Sequence, residues 1–412
     1  MADDANPAIN PLPDLFVGLT GARMVASVRP QLMLAEEAMA AALPAVRVRG
    51  VFPGQAVFVD RIRCFLESHG RCGDRMRIRV GLIGLAEAWP SRHAPSLRAL
   101  ADRFEVRAVY DPVARRAEQA AESFGASVVA GYRALTERED IDAVMILAPH
   151  WHGMLPILAA CDASKAVYCG AGLDLTPEEA RQVKRRVEES GVAFVAEFVR
   201  RHMPATIRLK ELIASRLGPP RLLFCHQRMA GVRRNGHAQS PQDPAVRELL
   251  ELIDWCCYVV DRPPRLVTGM VHAPAADDPD LGADYHMLSI DFSDETPGTG
   301  PVAQISCGRY IPPHWQEAIN YRPPASLQVA CSNGVAFVDL PSTVVWFDEA
   351  GRHQEHLDSD RPVGEQLLLH FHRAITSLVR RTSDLEDAYR VLQIVQESRN
   401  SHRRGCRIEL PR

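Results

Sequence analysis

RIRVGLIGLAEAW, residues 77–89, is the stretch on which the fold turns. Its apolar run at 78–83 is bounded by charge before it and small residues after it. That is the pattern of a buried parallel strand rather than a half-exposed one. Gly84 and Ala86 follow, and Pro90 opens an amphipathic segment that reaches Phe104. Strand, tight turn and a helix with proline at its first position begin a doubly wound, dinucleotide-binding sheet. A complete GxGxxG fingerprint would place glycine at 84, 86 and 89, where this chain has Gly84, Ala86 and Trp89. The glycine of the tight turn is kept. The methyl of Ala86 narrows the approach of backbone to a pyrophosphate, and Trp89 stands where a small residue lets helix pack on strand. The stretch thus predicts the fold and a weakened grip on phosphate.

Working outward, strand and helix alternate. Strands are expected at 105–110, 126–130, 142–149, 165–169 and 192–198, with Asp111 as N-cap of a helix opened by Pro112. Thr176-Pro177-Glu178-Glu179 reads as a capping box with proline at the first helical position, and Gly191 as the helix stop. Such repeated units make a parallel sheet. After about Gly218 the pattern changes. Strands are expected at 221–229, 265–272, 285–292, 302–310, 326–331 and 334–340, with a hairpin turn at Asn333-Gly334 and one long helix at 244–260. Helices at 364–381 and 384–401 and a strand at 407–410 close the chain. The fold class is α/β: a Rossmann-like parallel sheet, then an α+β domain with an open, mostly antiparallel sheet. The division is an N-terminal extension at 1–76, a dinucleotide-binding domain at 77–200, and a substrate and oligomerisation domain at 201–412. The extension has helical spacing at 32–43 and no functional motif.

With 412 residues and a net charge of −3, the chain has none of the basic excess of a nucleic-acid binder. No apolar run reaches membrane-spanning length, and the acidic start MADDANP lacks the layout of a signal peptide. Its 10 cysteines form no CxxC pair, which reads as reduced cytoplasmic thiols and no metal site.

The layout resembles the Gfo/Idh/MocA family (glucose-fructose oxidoreductase, inositol dehydrogenase and relatives) over residues 77–412. The resemblance is carried by VGLIG at 80–84, VRAVYDP with Asp111, DAVMILAP, SKAVYC at 164–169, LTPEEA, RRHMPA at 200–205 with KELIASRLG, and SLVRRTSDLEDAYRVLQIVQESRNS. It implies a nicotinamide cofactor in the first domain and a sugar, cyclitol or polyol bound against the second, with hydride exchanged at a carbinol carbon. It also implies a homo-oligomer formed through the C-terminal sheet. The departures fall on the chemistry. The family continues SKAVYC with glutamate, lysine and proline, and this chain continues with Gly170, Ala171 and Gly172, so the family's lysine falls on Ala171. The family's aspartate and histidine of the long helix fall on Arg247 and Glu251.

Candidate residues follow from position. Gly84, Ala86, Pro149 and Cys169 line the carboxyl end of the parallel strands, where a nucleotide binds. Asp111, at the end of strand two, can accept the ribose hydroxyls, which favours NAD over NADP. His150 and His152 follow the 142–149 strand and could exchange protons, as loop polarity alone would also explain. Glu251 and Asp254 lie on an apolar helix, where burial raises a carboxyl pKa; a helix polar face or a pair with Arg247 would explain them equally. Arg200, Arg201 and Tyr321 are substrate candidates, with Cys225, His226, Tyr310 and Trp315 beyond them. Three functions remain open: an oxidoreductase with relocated acid/base groups, a non-redox enzyme on the same scaffold, and a catalytically inactive ligand-binding homologue.

Overall fold

The apolar run becomes β1 (Ile78–Ile83), in which only Arg79 reaches solvent. The computed structural model describes residues 77–148, 152–170, 173, 175–230, 244–272, 285–311, 315–358, 361–377 and 383–411. The expectations for 1–76, and for Pro149, His150, Ala171 and Gly172, lie outside the described residues. The chain divides into two units, 1–66 and 67–412, and every described residue belongs to the second.

After β1, Gly84 adopts a left-handed φ of 68°, a conformation glycine takes at no steric cost. The expected single helix is broken into a π turn (Trp89–His93) and α1 (Ala94–Ala99). Pro95, in the first turn of α1, has no N–H with which to carry the ladder across the junction. The Trp89 indole packs on Phe124, ring centroids 5.8 Å apart. Next come β2 (Phe104–Tyr110), α2 (Ala114–Phe124), β3 (Ser127–Val128), α3 (Tyr132–Thr136) and β4 (Ala143–Ile146). Then come α4 (Leu155–Asp162), β5 (Ala166–Cys169), α5 (Pro177–Ser190) and β6 (Phe194–Ala196). The expected capping box forms: Thr176 accepts from the Glu179 N–H and the Glu179 side chain from the Thr176 N–H. The six strands are parallel, in the order β3-β2-β1-β4-β5-β6, with the switch point between β1 and β4.

A 3₁₀ turn (Val199–His202) leads to α6 (Pro204–Leu212), a π turn (Ile213–Leu217) and β7 (Pro220–Ala230). The second part continues with α7 (Pro244–Val260), β8 (Leu266–His272), β9 (Tyr285–Asp291), β10 (Val302–Ile311) and α8 (Gln316–Asn320). It ends with β11 (Leu327–Cys331), β12 (Val335–Asp339), β13 (Thr343–Asp348), β14 (Gly351–His356), α9 (Val363–Thr376), α10 (Ser383–Arg404) and β15 (Ile408–Glu409). The sheet has nine strands in the order β14-β13-β12-β11-β7-β10-β9-β8-β15. All its pairs are antiparallel except β7 with β10. One face is buried under α7 and α10. Its apolar strand residues, such as Leu223, Ile290 and Ile305, join the main core.

α9 returns to the first sheet, where Phe371 stacks on Phe104 and meets Tyr168 edge-on at 5.4 Å. Beneath it Glu197 is buried, accepting from Tyr168 Oη and pairing with His93 Nε2, each at 2.8 Å, and with Arg92. This node ties β5, β6 and the turn after β1 into one support for the strand ends.

Candidate active site

The site is built at the carboxyl ends of the parallel strands. At the β1 turn, the Asp111 carboxylate accepts the Leu85 N–H at 2.7 Å and the Val113 N–H at 2.8 Å. It does not cap a helix opened by Pro112; α2 begins at Ala114. Each carboxylate oxygen keeps a lone pair for a further donor, so a ribose hydroxyl can still be accepted. His152 stands over the same turn: a Cβ on Gly84 would lie 3.4 Å from its Nε2. Its ring is flanked by Tyr110 and Tyr132, centroids 5.7 and 6.3 Å away. The Nε2 is buried and makes no hydrogen bond among the described residues. Burial lowers the His152 pKa and the nearby Asp111 charge opposes that, leaving a neutral imidazole at pH 7. Ala86 packs beside the apolar cluster that Trp89 joins.

The second group lies where the 3₁₀ turn after β6 meets the polar face of α7. Arg201 grips Asp254 with two donors, one at 2.7 Å, and reaches Asp387 of α10 at 2.9 Å. Arg200 bonds Glu248, lies 3.7 Å from Glu251, and faces the Trp255 ring at 5.9 Å. Burial pushes the Asp254 carboxyl up to about 6, against the Arg201 guanidinium, so it stays ionised at neutral pH. Burial pushes Glu251 further, to about 8, with Arg200 pulling against it and the Asp254 and Glu248 charges adding to it. A carboxyl with a pKa near neutrality can both take and give a proton at working pH. Glu251 pairs with Arg200 and not with Arg247 one turn back.

The structure therefore brings Arg200, Arg201, Glu251 and Asp254 together, and sets Gly84, Ala86, Asp111 and His152 together in a separate group. Cys169 ends β5, 1% exposed, its carbonyl accepting the Glu197 N–H. Tyr321 is 66% exposed and its carbonyl accepts from Arg228 at the far end of β7, with no bond to the arginine cluster among the described residues. Of the polar partners that sequence reasoning misses, Glu248 is within its reach, since it lies three residues before Glu251 on one helix face. Asp387 comes from a distant helix and leaves no local signal. The missing family glutamate also has a physical reason. A Cβ at Gly170 would lie 2.9 Å from the Leu147 Cα, so the end of β4 leaves no room for a side chain there.

Comparison with known proteins agrees with this fold. Residues 78–198 match the oxidoreductase family with an NAD-binding Rossmann fold. An inositol 2-dehydrogenase of Saccharopolyspora erythraea is 30% identical over 177 residues, 42% of this chain and 52% of that protein. Another from Acidothermus cellulolyticus is 31% identical over 205 residues, 49% of this chain and 60% of that one. The matches thus span little more than half the length of these relatives. An aldose-aldose oxidoreductase structure from Caulobacter crescentus shares the fold with a TM-score of 0.68 at 13% identity, covering 81% of this chain and 100% of that one. An oxidoreductase from Thermotoga maritima gives 0.66 at 18%, covering 81% and 98%. Among the described residues, no helix is long and apolar enough to cross a membrane.

Proposed function

We propose that this chain, whose residues 78–198 match the Gfo/Idh/MocA oxidoreductase family, is a member of that family and moves a hydride between NAD and a carbinol carbon of a small polyol-like molecule, with Glu251 as its proton-transfer group. The observation that carries this is the placement of Glu251: a carboxyl near neutral pKa, 3.7 Å from Arg200, beyond the strand ends of a nucleotide-binding sheet. The bound nicotinamide supplies hydride acceptance and donation. This chain's residues supply the rest. The Gly84 turn and Asp111 hold the adenosine side, and the carboxylate disfavours a 2′-phosphate, hence NAD over NADP. His152, with its buried Nε2 above Gly84, serves the nucleotide side; its distance in sequence and cluster from Glu251 argues against a shared proton path. Arg200 holds the Glu251 carboxyl in place, and the Arg201–Asp254–Asp387 clamp fixes the 3₁₀ turn that carries Arg200.

The relocation of acid/base chemistry to Glu251 favours this over an inactive homologue. Loss of a general acid/base without replacement costs about 10²–10⁴-fold, and the raised pKa of Glu251 beside Arg200 supports it as the replacement. Titration of the full chain with NAD and NADP tests the premise: NAD should bind and NADP bind more weakly, and absence of NAD binding would refute it. Self-association through the open face of the nine-stranded sheet is part of the same proposal. That face exposes Leu222 and Phe224 of β7, Met270 of β8 and Phe347 of β13, apolar side chains that a second copy of the chain would cover.

A further inference from the structure

The Arg200 guanidinium is shared between two carboxylates and a ring. It bonds Glu248, lies 3.7 Å from Glu251 and stands over the Trp255 ring at 5.9 Å. The first contact is a hydrogen-bonded ion pair, and the second is longer than a hydrogen bond. The guanidinium therefore sits on Glu248 and stops short of Glu251. The indole beneath it is fixed in turn. Its Nε1–H donates to the Thr206 hydroxyl at 2.9 Å, and both residues are fully buried, where close packing leaves a ring little room to turn. Thr206 stands on α6, which follows the 3₁₀ turn that carries Arg200. One segment thus supplies both the guanidinium and the anchor of the ring it lies over.

We infer that Trp255 and Thr206 are positioning residues for proton transfer: the indole, anchored by the Thr206 hydroxyl, keeps Arg200 on Glu248 and out of hydrogen-bond contact with Glu251. This deepens the dehydrogenase reading above and rests on its use of Glu251. A guanidinium that closed on Glu251 would hold it as a carboxylate and spoil it as a carrier of protons near neutral pH. The charged groups that act on Glu251 are Arg200 from the 3₁₀ turn, Glu248 and Asp254 from α7 itself, and Glu197 from the end of β6. The three carboxylates favour its protonated form, as burial does, and Arg200 opposes them. Arginine keeps its charge throughout, so its distance from Glu251 is what tunes the balance, and the ring sets that distance.

The test is an infrared pH titration of the full chain, following the protonated-carboxyl stretch that Glu251→Gln removes, with NAD binding titrated in parallel. In the wild type that band should halve near pH 8. Thr206→Val keeps the shape of the side chain and removes the acceptor of the indole N–H; it should lower the midpoint by about one pH unit, as a cation drawn closer does. Thr206→Ser keeps the acceptor and should leave the midpoint in place, although it opens more space than valine does. Trp255→Leu, which removes the ring face, should lower the midpoint at least as far as Thr206→Val, and Trp255→Phe should fall between it and the wild type. An unchanged or raised midpoint in Thr206→Val, or a fall in Thr206→Ser as large as in Thr206→Val, would overturn the inference, and the Thr206 pair decides it even where Trp255→Leu does not fold. A wild-type midpoint near pH 8 that none of the variants moves removes this inference and leaves the dehydrogenase reading. The expected order of midpoints without NAD binding does the reverse. A wild-type Glu251 that titrates in the ordinary carboxylate range overturns both.

Discussion

Two opposed forces act on the Glu251 proton: burial, which favours the neutral acid, and the Arg200 guanidinium 3.7 Å away, which favours the anion. Burial is the larger, so the group titrates near pH 8. In the direction of alcohol oxidation the base form is needed, and activity should rise as pH passes through about 8; in the direction of reduction it should fall. Glu251→Gln should lower kcat by about 10²–10⁴-fold and remove that limb from the pH–rate profile. Stability has its own sign. The folded carboxyl holds its proton above the unfolded value of 4.5, so the folded state binds more protons between there and about 8. Stability should therefore fall with rising pH across that window, and thermal unfolding of Glu251→Gln should be flatter over it. Asp111 is legible from its place after strand two, but its bonds to the Leu85 and Val113 N–H groups are not. Asp111→Ala should weaken NAD binding about ten-fold or more and, by leaving two backbone donors without an acceptor, cost about 1–3 kcal/mol of stability. Titration calorimetry and denaturant unfolding read the two effects separately. Glu251 itself is legible from its place on an apolar helix. Its partner is not, because helical spacing points to Arg247, whereas the contact comes from another segment.

At the scale of elements, β1 is legible to the residue because a buried parallel strand must be apolar throughout. The helix after it reads as continuous in the sequence and is not, since its break depends on Pro95 and on where the Trp89 indole can be placed. The end of β5 is legible as far as Cys169. Beyond it, glycine in place of the family's glutamate reads as lost chemistry, and the structure adds a steric cause in the close approach of Leu147. Gly170→Ala should destabilise the protein by about 1–3 kcal/mol, the usual cost of forcing atoms into a filled site. Thermal denaturation checks this. An unchanged Tm would mean that β4 can withdraw, and that the backbone does not require glycine.

For the whole molecule, the two-sheet order is legible because periodicity changes after about Gly218. The β13–β14 hairpin at the sheet edge is not foreseen, and neither are three long-range features. The parallel pairing of β7 with β10, the return of α9 to the first sheet and the recruitment of Asp387 are all contacts between segments far apart in sequence. The open face of the nine-stranded sheet yields a prediction at this scale: Phe224→Glu, at a side chain 43% exposed, should shift the protein toward monomer in sedimentation without unfolding it. The claim that joins both sheets is that the nucleotide turn at Gly84 and the carboxyl at Glu251 act on one substrate. Its most direct test is absorbance at the reduced-nicotinamide band when the full chain is mixed with NAD and a panel of sugars, cyclitols and sugar acids at a pH of about 8–9, where the Glu251 base form is populated. Substrate-dependent NADH formation that Glu251→Gln reduces at least about a hundred-fold is the predicted result. NADH formation left unchanged by Glu251→Gln, or NAD bound with no reduction by any member of the panel, would contradict it.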